Sequence, residues 1–416
     1  MGIEEVLKVA GIVLAVGSVC GVLAKKINIP DIVIFLLVGM VLGPAVSGVI
    51  NVPSESNLNQ LILLFGSCYI LFDGGASVRL SVLKQTAITL VVISTLGVLI
   101  TGVITGYTVF YAFADLGVPL IIAMLLGMAL ASTDPATLVP VFKQVPIKDR
   151  VAQTVMSESA FNDAMGAIAT FTVLNVALGA GEFSAASSLW HLLSESAIGI
   201  AIGGALGYLA LVLIAHEKYD FLREHLPLVT LMSVIAAYMG AVGASGSGYM
   251  AVFVFGIMLG NRATFGFKLE AQEAHGMEDF ILTTALIMRM FIFILLGSQV
   301  DFALLNQYAV AGGITIAVFM LVARPITVFV CAAPDRRAKW SMNELLFMCW
   351  TRETGVIPAA LAGILAGRLA GTQYAEFAPL VTSVIFLAIL FTILLQATTT
   401  PWLARKLGLL LEQQKA

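Results

Sequence analysis

Charge is what this 416-residue chain has least of. Asp, Glu, Lys and Arg make up 11% of it, hydrophobic residues 59%, and the mean hydropathy is +0.99. A soluble domain carries roughly 25% charged residues, so there is too little polar surface for water, and an all-α membrane protein is expected. A basic excess is missing as well: 22 Lys and Arg face 25 Asp and Glu, a net charge of −3. That gives no sign of a nucleic-acid partner. Cysteine is sparse and never paired. Cys20, Cys68, Cys331 and Cys349 sit singly in apolar runs, without zinc-site or redox spacing, and read as small buried hydrophobes. The opening MGIEEVLK lacks a basic n-region and a small-residue cleavage site, so residues 6–23 read as a retained helix and not a signal peptide. The four histidines, His191, His216, His225 and His275, fall in expected loops or at span ends and read as solvated surface groups.

Long apolar runs are what remains. A membrane-spanning helix needs about 20 mostly apolar residues. Charge clusters, Pro and Gly divide the chain into thirteen such segments, at 6–24, 31–50, 60–78, 86–113, 117–142, 151–179, 195–215, 226–244, 249–262, 279–300, 307–331, 342–367 and 377–404. With the N-terminus outside, the loops and tail on the cytoplasmic side hold 17 of the 22 basic residues, from Lys25 to Lys415. The outer segments hold only Lys8 and Arg368, so the alternation obeys the positive-inside rule. The expected setting is therefore an inner cell membrane, with the N-terminus outside and the C-terminus cytoplasmic. Arg289, Arg324 and Arg352 are the basic residues left inside spans. A charge in hydrocarbon is costly and needs a partner or a watery cavity.

An internal repeat is visible at an offset of about 220 residues. GMVLG from Gly39 matches GIMLG from Gly256, YILFDGGASV from Tyr69 parallels FIFILLGSQV from Phe291, and TDPATLVP from Thr133 lines up with TRETGVIP from Thr351. Spans one to six (residues 1–180) read as duplicated in spans eight to thirteen (226–416), with span seven in a linker (181–225). An odd linker inverts the second copy, and inverted repeats with matching interrupted spans mark secondary transporters. Pro135 and Pro140 in span five, with Gly355 and Pro358 in span twelve, are the expected interruptions. Asp134 and Arg352 occupy equivalent positions with opposite sign, suited to the positive and negative ends of broken helices respectively. Arg352 reads as structural neutralisation; for Asp134, structure and cation attraction stand equal.

Chemistry concentrates in span six, SESAFNDAMG. Glu158 and Asn162 are four apart, as are Ser159 and Asp163, so all four share one helical face. A carboxylate there holds a proton or a small cation, since desolvation favours the first and a nearby positive charge the ionised form. Competition at one site, exposed alternately to each side, gives obligatory exchange. Asp163 would supply the charge, and Ser159 with a carbonyl near Thr133 the neutral oxygens that hard monovalent cations such as Na+ prefer. Glu158 needs a buried cation, which Arg324 or Arg352 must provide.

TDPATLVP followed by SESAFNDAMG, with FDGG at Phe72, MRMFIFILLG at Met288 and ARP at Ala323, resembles the NhaP branch of the monovalent cation–proton antiporters over nearly the whole chain. The resemblance implies the NhaA-like antiporter fold with two broken crossing helices. It further implies a transport core (spans 4–6 and 11–13) moving against a dimerisation scaffold (spans 1–3 and 8–10), hence a homodimer in the lipid bilayer. By the same resemblance Asp163 is the shared cation and proton site, Ser159, the Thr133 carbonyl and Asp134 complete or support it, and Glu158 pairs with Arg324. Asn162 stands where electrogenic relatives carry a second Asp, which implies one-for-one exchange. The function expected is Na+/H+ exchange, with Li+ as a further substrate, serving pH homeostasis and needing no cofactor. K+/H+ exchange is the nearest alternative. An ion channel is a remote one, as is an intramembrane aspartyl protease using Asp134 and Asp163; the Gly-x-Gly-Asp context of such enzymes is absent, and no enzyme activity is expected.

Overall fold

In the computed structural model, residues 2–27, 29–53, 56–133, 142, 147–179, 185–216 and 219–410 are described, and they are almost wholly helical. The helices are α1 (Ile3–Ile27), α2 (Asp31–Leu42), α3 (Asn57–Ala76), α4 (Leu80–Ala112), α5 (Leu120–Leu130), α6 (Asp149–Ala177), α7 (Ala185–Ala215), α8 (Leu226–Gly243), α9 (Gly248–Gly260) and α10 (Ala271–Ser298). They continue as α11 (Phe302–Cys331, with a π-helical turn at Phe319–Ala323), α12 (Met342–Trp350), α13 (Val356–Leu369), α14 (Ala378–Thr392) and α15 (Thr398–Lys406). Helix falls on every segment marked out in the sequence. Among the described residues, eight helices are long and apolar enough to cross a membrane by length and composition, while α2 and α5 are short apolar pieces. Several starts are fixed by side-chain caps on otherwise unpaired N–H groups: Ser56 on α3, Ser247 on α9, Asp301 on α11, and a reciprocal Ser341–Glu344 box on α12.

The helices pack in two groups. One gathers α1, α2, α3, α8, α9 and α10, with α7 against α8 and α9; the other gathers α4, α5, α6, α11, α13 and α14, with α12 beside α11. Inside the first group the repeat seen in the sequence returns as contacts. Gly39 of α2 and Gly43 just past its end meet the carbonyl oxygens of Ile294 and Ser298 on α10, so closely that a Cβ could not be accommodated. Gly256 and Gly260 of α9 meet those of Phe72 and Ala76 on α3 in the same way. Under the sequence repeat, Gly39 corresponds to Gly256, Gly43 to Gly260, Phe72 to Ile294 and Ala76 to Ser298. The same interface is therefore built twice with partners exchanged, which is the mark of a two-fold relation.

The second group contains the interruptions. Between α12 and α13 the residues Thr351–Gly355 are buried and non-helical. Pro358, expected to be part of the break, instead lies in the first turn of α13, where a missing N–H costs nothing. The matching helix α5 stops at Leu130, and Ser132 and Thr133 follow without helical structure. Asp134, Pro135 and Pro140 lie outside the described residues.

The α11–α12 connection is tied down by Asp335. Its carboxylate accepts Thr89 N–H at 3.0 Å and Thr89 Oγ1 at 2.6 Å on α4, and the backbone N–H groups of Arg337 at 2.9 Å and Ala338 at 3.1 Å. Burial alone would raise this carboxyl; the hydrogen bonds outweigh it and hold it below its usual value.

Gly39→Ala or Gly256→Ala should lower the melting temperature of the detergent-purified protein, by overpacking worth about 1–3 kcal/mol. Gly276→Ala, where nothing lies within 4 Å of the added carbon, should not lower it. A depressed carboxyl contributes stability that is complete above its unfolded value and lost as pH falls through the folded one. Melting temperature measured at falling pH, below about 5, should consequently drop less in Thr89→Val than in the parent.

Candidate functional site

Asp163 stands midway along α6, and its side chain is buried, as are those of Glu158, Ser159 and Asn162. The i, i+4 spacing brings these groups to one face, and that face meets the non-helical residues after α5. Ser132 Oγ donates to Asp163 Oδ1. Thr133 N–H donates to Asn162 Oδ1 at 3.0 Å, Asn162 Nδ2 donates to Thr133 Oγ1 at 2.8 Å, and Thr133 Oγ1 lies 2.8 Å from Ser159 Oγ. Asn162 thus satisfies a backbone donor that the end of α5 leaves without a helical acceptor. An amide does so without adding charge, whereas a second carboxylate would.

Next to Ser159 and one turn before Asn162, the supporting charges are arranged. Both Glu158 oxygens are taken by Arg324: Nη1 meets Oε1, and Nη2 lies 2.9 Å from Oε2. Arg324 Nε also donates to the Met348 carbonyl at 2.8 Å and Nη2 reaches that of Thr351 at 3.5 Å, so the same guanidinium closes the end of α12. Of the two candidates for Glu158, the structure places Arg324 there. Arg352 turns elsewhere, with Nη2 on the Ala131 carbonyl at the end of α5, Nη1 3.2 Å from Thr101 Oγ1, and the guanidinium 5.0 Å over the Phe319 ring. Half-helix C-termini carry a partial negative charge and unpaired carbonyls, and a buried arginine meets each of them. Arg289 sits nearer the edge of the fold, 4.0 Å from Asp31.

A cavity of about 600 Å³ opens against the N-terminal part of α6 and is lined by Asp73, Asp149, Gln153 and Met156 among others. Met156 precedes Asp163 by seven residues, roughly 10 Å along a helix. None of the four histidines is buried, and the four cysteines are buried thiols.

A family model described as sodium/hydrogen exchanger, transmembrane, matches residues 12–406. The chain belongs to the sodium/hydrogen exchanger family. Within it, this exchanger-family chain is 31% identical to Na(+)/H(+) antiporter 1 of Methanocaldococcus jannaschii, over 95% of the chain and 94% of that protein. It is 27% identical to the Na(+)/H(+) antiporter ApNhaP of Aphanothece halophytica, over 98% of the chain and 75% of that protein. The solved structure of the sodium proton antiporter MjNhaP1 from Methanocaldococcus jannaschii at pH 8 superposes with a TM-score of 0.79 at 28% identity, covering 98% of the chain and 99% of that structure.

Among residues marked out in the sequence, the structure of this family member brings together Asp163, Ser159, Thr133, Asn162, Glu158 and Arg324, and sets Arg352 against the end of α5. Asp134 lies outside the described residues. Sequence reasoning missed Ser132, although it adjoins Thr133. It also missed Glu353, wholly buried in the Thr351–Gly355 break. The inventory of basic residues inside spans, repeated for acids, would have found it.

Breaking a buried pair costs about 3–5 kcal/mol because it strands one charge. Glu158→Gln or Arg324→Met alone should destabilise the purified protein by that order, and the double variant by clearly less than the sum, in thermal unfolding of all three.

Proposed function

We propose that this chain exchanges Na+ for H+ across its membrane, one for one, by competition for the Asp163 carboxylate. The observation that carries the reading is the buried Asp163 carboxylate, which takes the Ser132 hydroxyl where the chain runs on without helix after α5. Bound to a proton the carboxyl is neutral; bound to Na+ the pair is again neutral. Carried empty, it would take an uncompensated charge through a low-dielectric region at high cost. Either loaded form can therefore change sides and the empty form cannot, which is obligatory exchange.

Asp163 supplies the charge of the Na+ site, Ser159 and the Thr133 carbonyl the neutral oxygens, and Asp134 a supporting charge. Asn162 is neutral and the Glu158 charge offsets that of Arg324, while Arg352 holds the end of α5. Because Asn162 is neutral, the moving part carries the same charge with either ion, and exchange is electroneutral. The α4–α6 and α11–α15 group is the transport core; the group with α1–α3 and α8–α10 is the scaffold and the surface for a homodimer. The repeats span residues 1–180 and 226–416, with 181–225 linking them in inverted orientation. The protein sits in the inner cell membrane with the N-terminus outside, works without a cofactor on ions alone, and is not an enzyme. A K(+)/H(+) antiporter NhaP of Alkalimonas amylolytica, 29% identical over 86% of the chain, makes K+ the second substrate to test.

In proteoliposomes carrying a pH gradient, Na+ or Li+ should drive proton movement at rates above those for K+. Asp163→Asn should abolish it; cation-dependent proton flux persisting in that variant would sink the reading. An imposed membrane potential should leave the rate unchanged, and a clear acceleration would rule out one-for-one stoichiometry.

A further inference from the structure

The buried break between α12 and α13 is flanked by the segment that joins α14 to α15, and the two run in opposite directions. Thr354 N–H donates to Thr392 Oγ1 at 3.0 Å, and Trp350 Nε1 donates to Thr399 Oγ1 at 2.8 Å. Between those contacts the joining segment makes a π-helical turn, Ile393–Ala397. Such a turn is rare, holds one residue more than an α-helical turn, and is frequent at functional sites. Gln396 stands in it, alongside the middle of the break, and is 0% exposed. Thr392 and Thr400, one turn to either side, are wholly buried as well, so a polar stripe continues through the turn.

The two threonines have their hydrogen bonds: Thr392 Oγ1 donates to the Ala388 carbonyl at 2.7 Å, and Thr400 Oγ1 to that of Gln396 at 2.8 Å. Among the described residues the Gln396 carboxamide has no partner, on its oxygen or on its nitrogen. Two buried atoms of the break share that condition, Arg352 Nε and Thr354 Oγ1. The three side chains are chemically complementary. Arg352 Nε–H is a donor and Thr354 Oγ1 accepts, while a carboxamide offers an oxygen to the first and an N–H to the second. A buried amide without partners disfavours the conformation that contains it. Arg352 is moreover the residue that closes α5 at Ala131, next to Ser132 and its bond to Asp163.

We propose that Gln396 is a positioning residue of the exchange cycle. In the conformation open to the other side its carboxamide takes Arg352 Nε–H and Thr354 Oγ1, and relaxation of the π-helical turn lets it reach them. The break is then held by the Thr392 and Thr399 hydroxyls in one conformation and by Gln396 in the other. A group unpaired in one conformation and paired in the other biases the equilibrium between them by that difference. This rests on the exchange reading above, since it needs two conformations that interconvert during transport.

The test uses Gln396→Met, which keeps the length of the side chain and removes the amide. Two measurements are made on the full-length protein: thermal unfolding in detergent, and Na+-driven proton movement in proteoliposomes. The melting temperature should rise, because an unpaired buried amide is gone. The exchange rate should fall about tenfold, the rate equivalent of one buried hydrogen bond. A residue that only fills space would lower both or change neither. Thr354→Val should also slow exchange, but by clearly less in the Gln396→Met background than in the parent, since the bond it breaks is already lost. An unchanged exchange rate in Gln396→Met, a lower melting temperature, or equal slowing by Thr354→Val in both backgrounds overturns the proposal. If Gln396→Met yields no folded protein, Gln396→Leu is read in the same way. A parent that exchanges no cation for protons sinks the exchange reading and this proposal with it; the outcomes above, in a parent that does exchange, overturn this proposal alone.

Discussion

A helix that stops inside a membrane leaves its last carbonyls without partners, in a medium that offers none. The architecture around Asp163 follows from how that problem is met here. Arg324 closes the end of α12 and Arg352 the end of α5, so two buried guanidinium groups replace two missing helical turns. Each positive charge then needs its own accommodation. Arg324 finds both oxygens of Glu158, while Arg352 lies over the Phe319 ring and beside Thr101. Because Glu158 and Asp163 share α6, fixing the first against Arg324 fixes the rotation of the helix that presents the second.

The group of α1–α3 and α8–α10 rests on a different constraint, that of close backbone approach. Without a hydrophobic force between helices in lipid, association depends on packing, and small residues permit it. Two glycine pairs at identical spacing seat α2 on α10 and α9 on α3. The duplication yields a symmetric frame around an asymmetric site: Asp163 has no acidic counterpart in the second repeat, and Asp134 is matched by Arg352.

Much of this was legible in the residues. Low charge and long apolar runs gave the membrane class, because hydrocarbon tolerates little else. The glycine pentapeptides marked two places of close backbone approach, since such approach demands Gly whatever surrounds it. The four-residue spacing of Glu158, Ser159, Asn162 and Asp163 placed them on one face, a matter of helical geometry alone. The partners of those groups were less legible. Ser132 and Glu353 passed unnoticed, because a serine in an apolar run or an acid next to an arginine carries no periodic signal.

The sequence by itself determined the helical class and the polar face, each of which depends on spacing within one segment. Only the tertiary structure decided that Arg324 meets Glu158 while Arg352 meets the Ala131 carbonyl. The same holds for Pro358, which lies in the first turn of a helix. Each of those outcomes depends on which of several chemically equal groups is brought within hydrogen-bond distance. That is settled by packing between segments separated by more than a hundred residues, such as Glu158 and Arg324, and no local pattern encodes it.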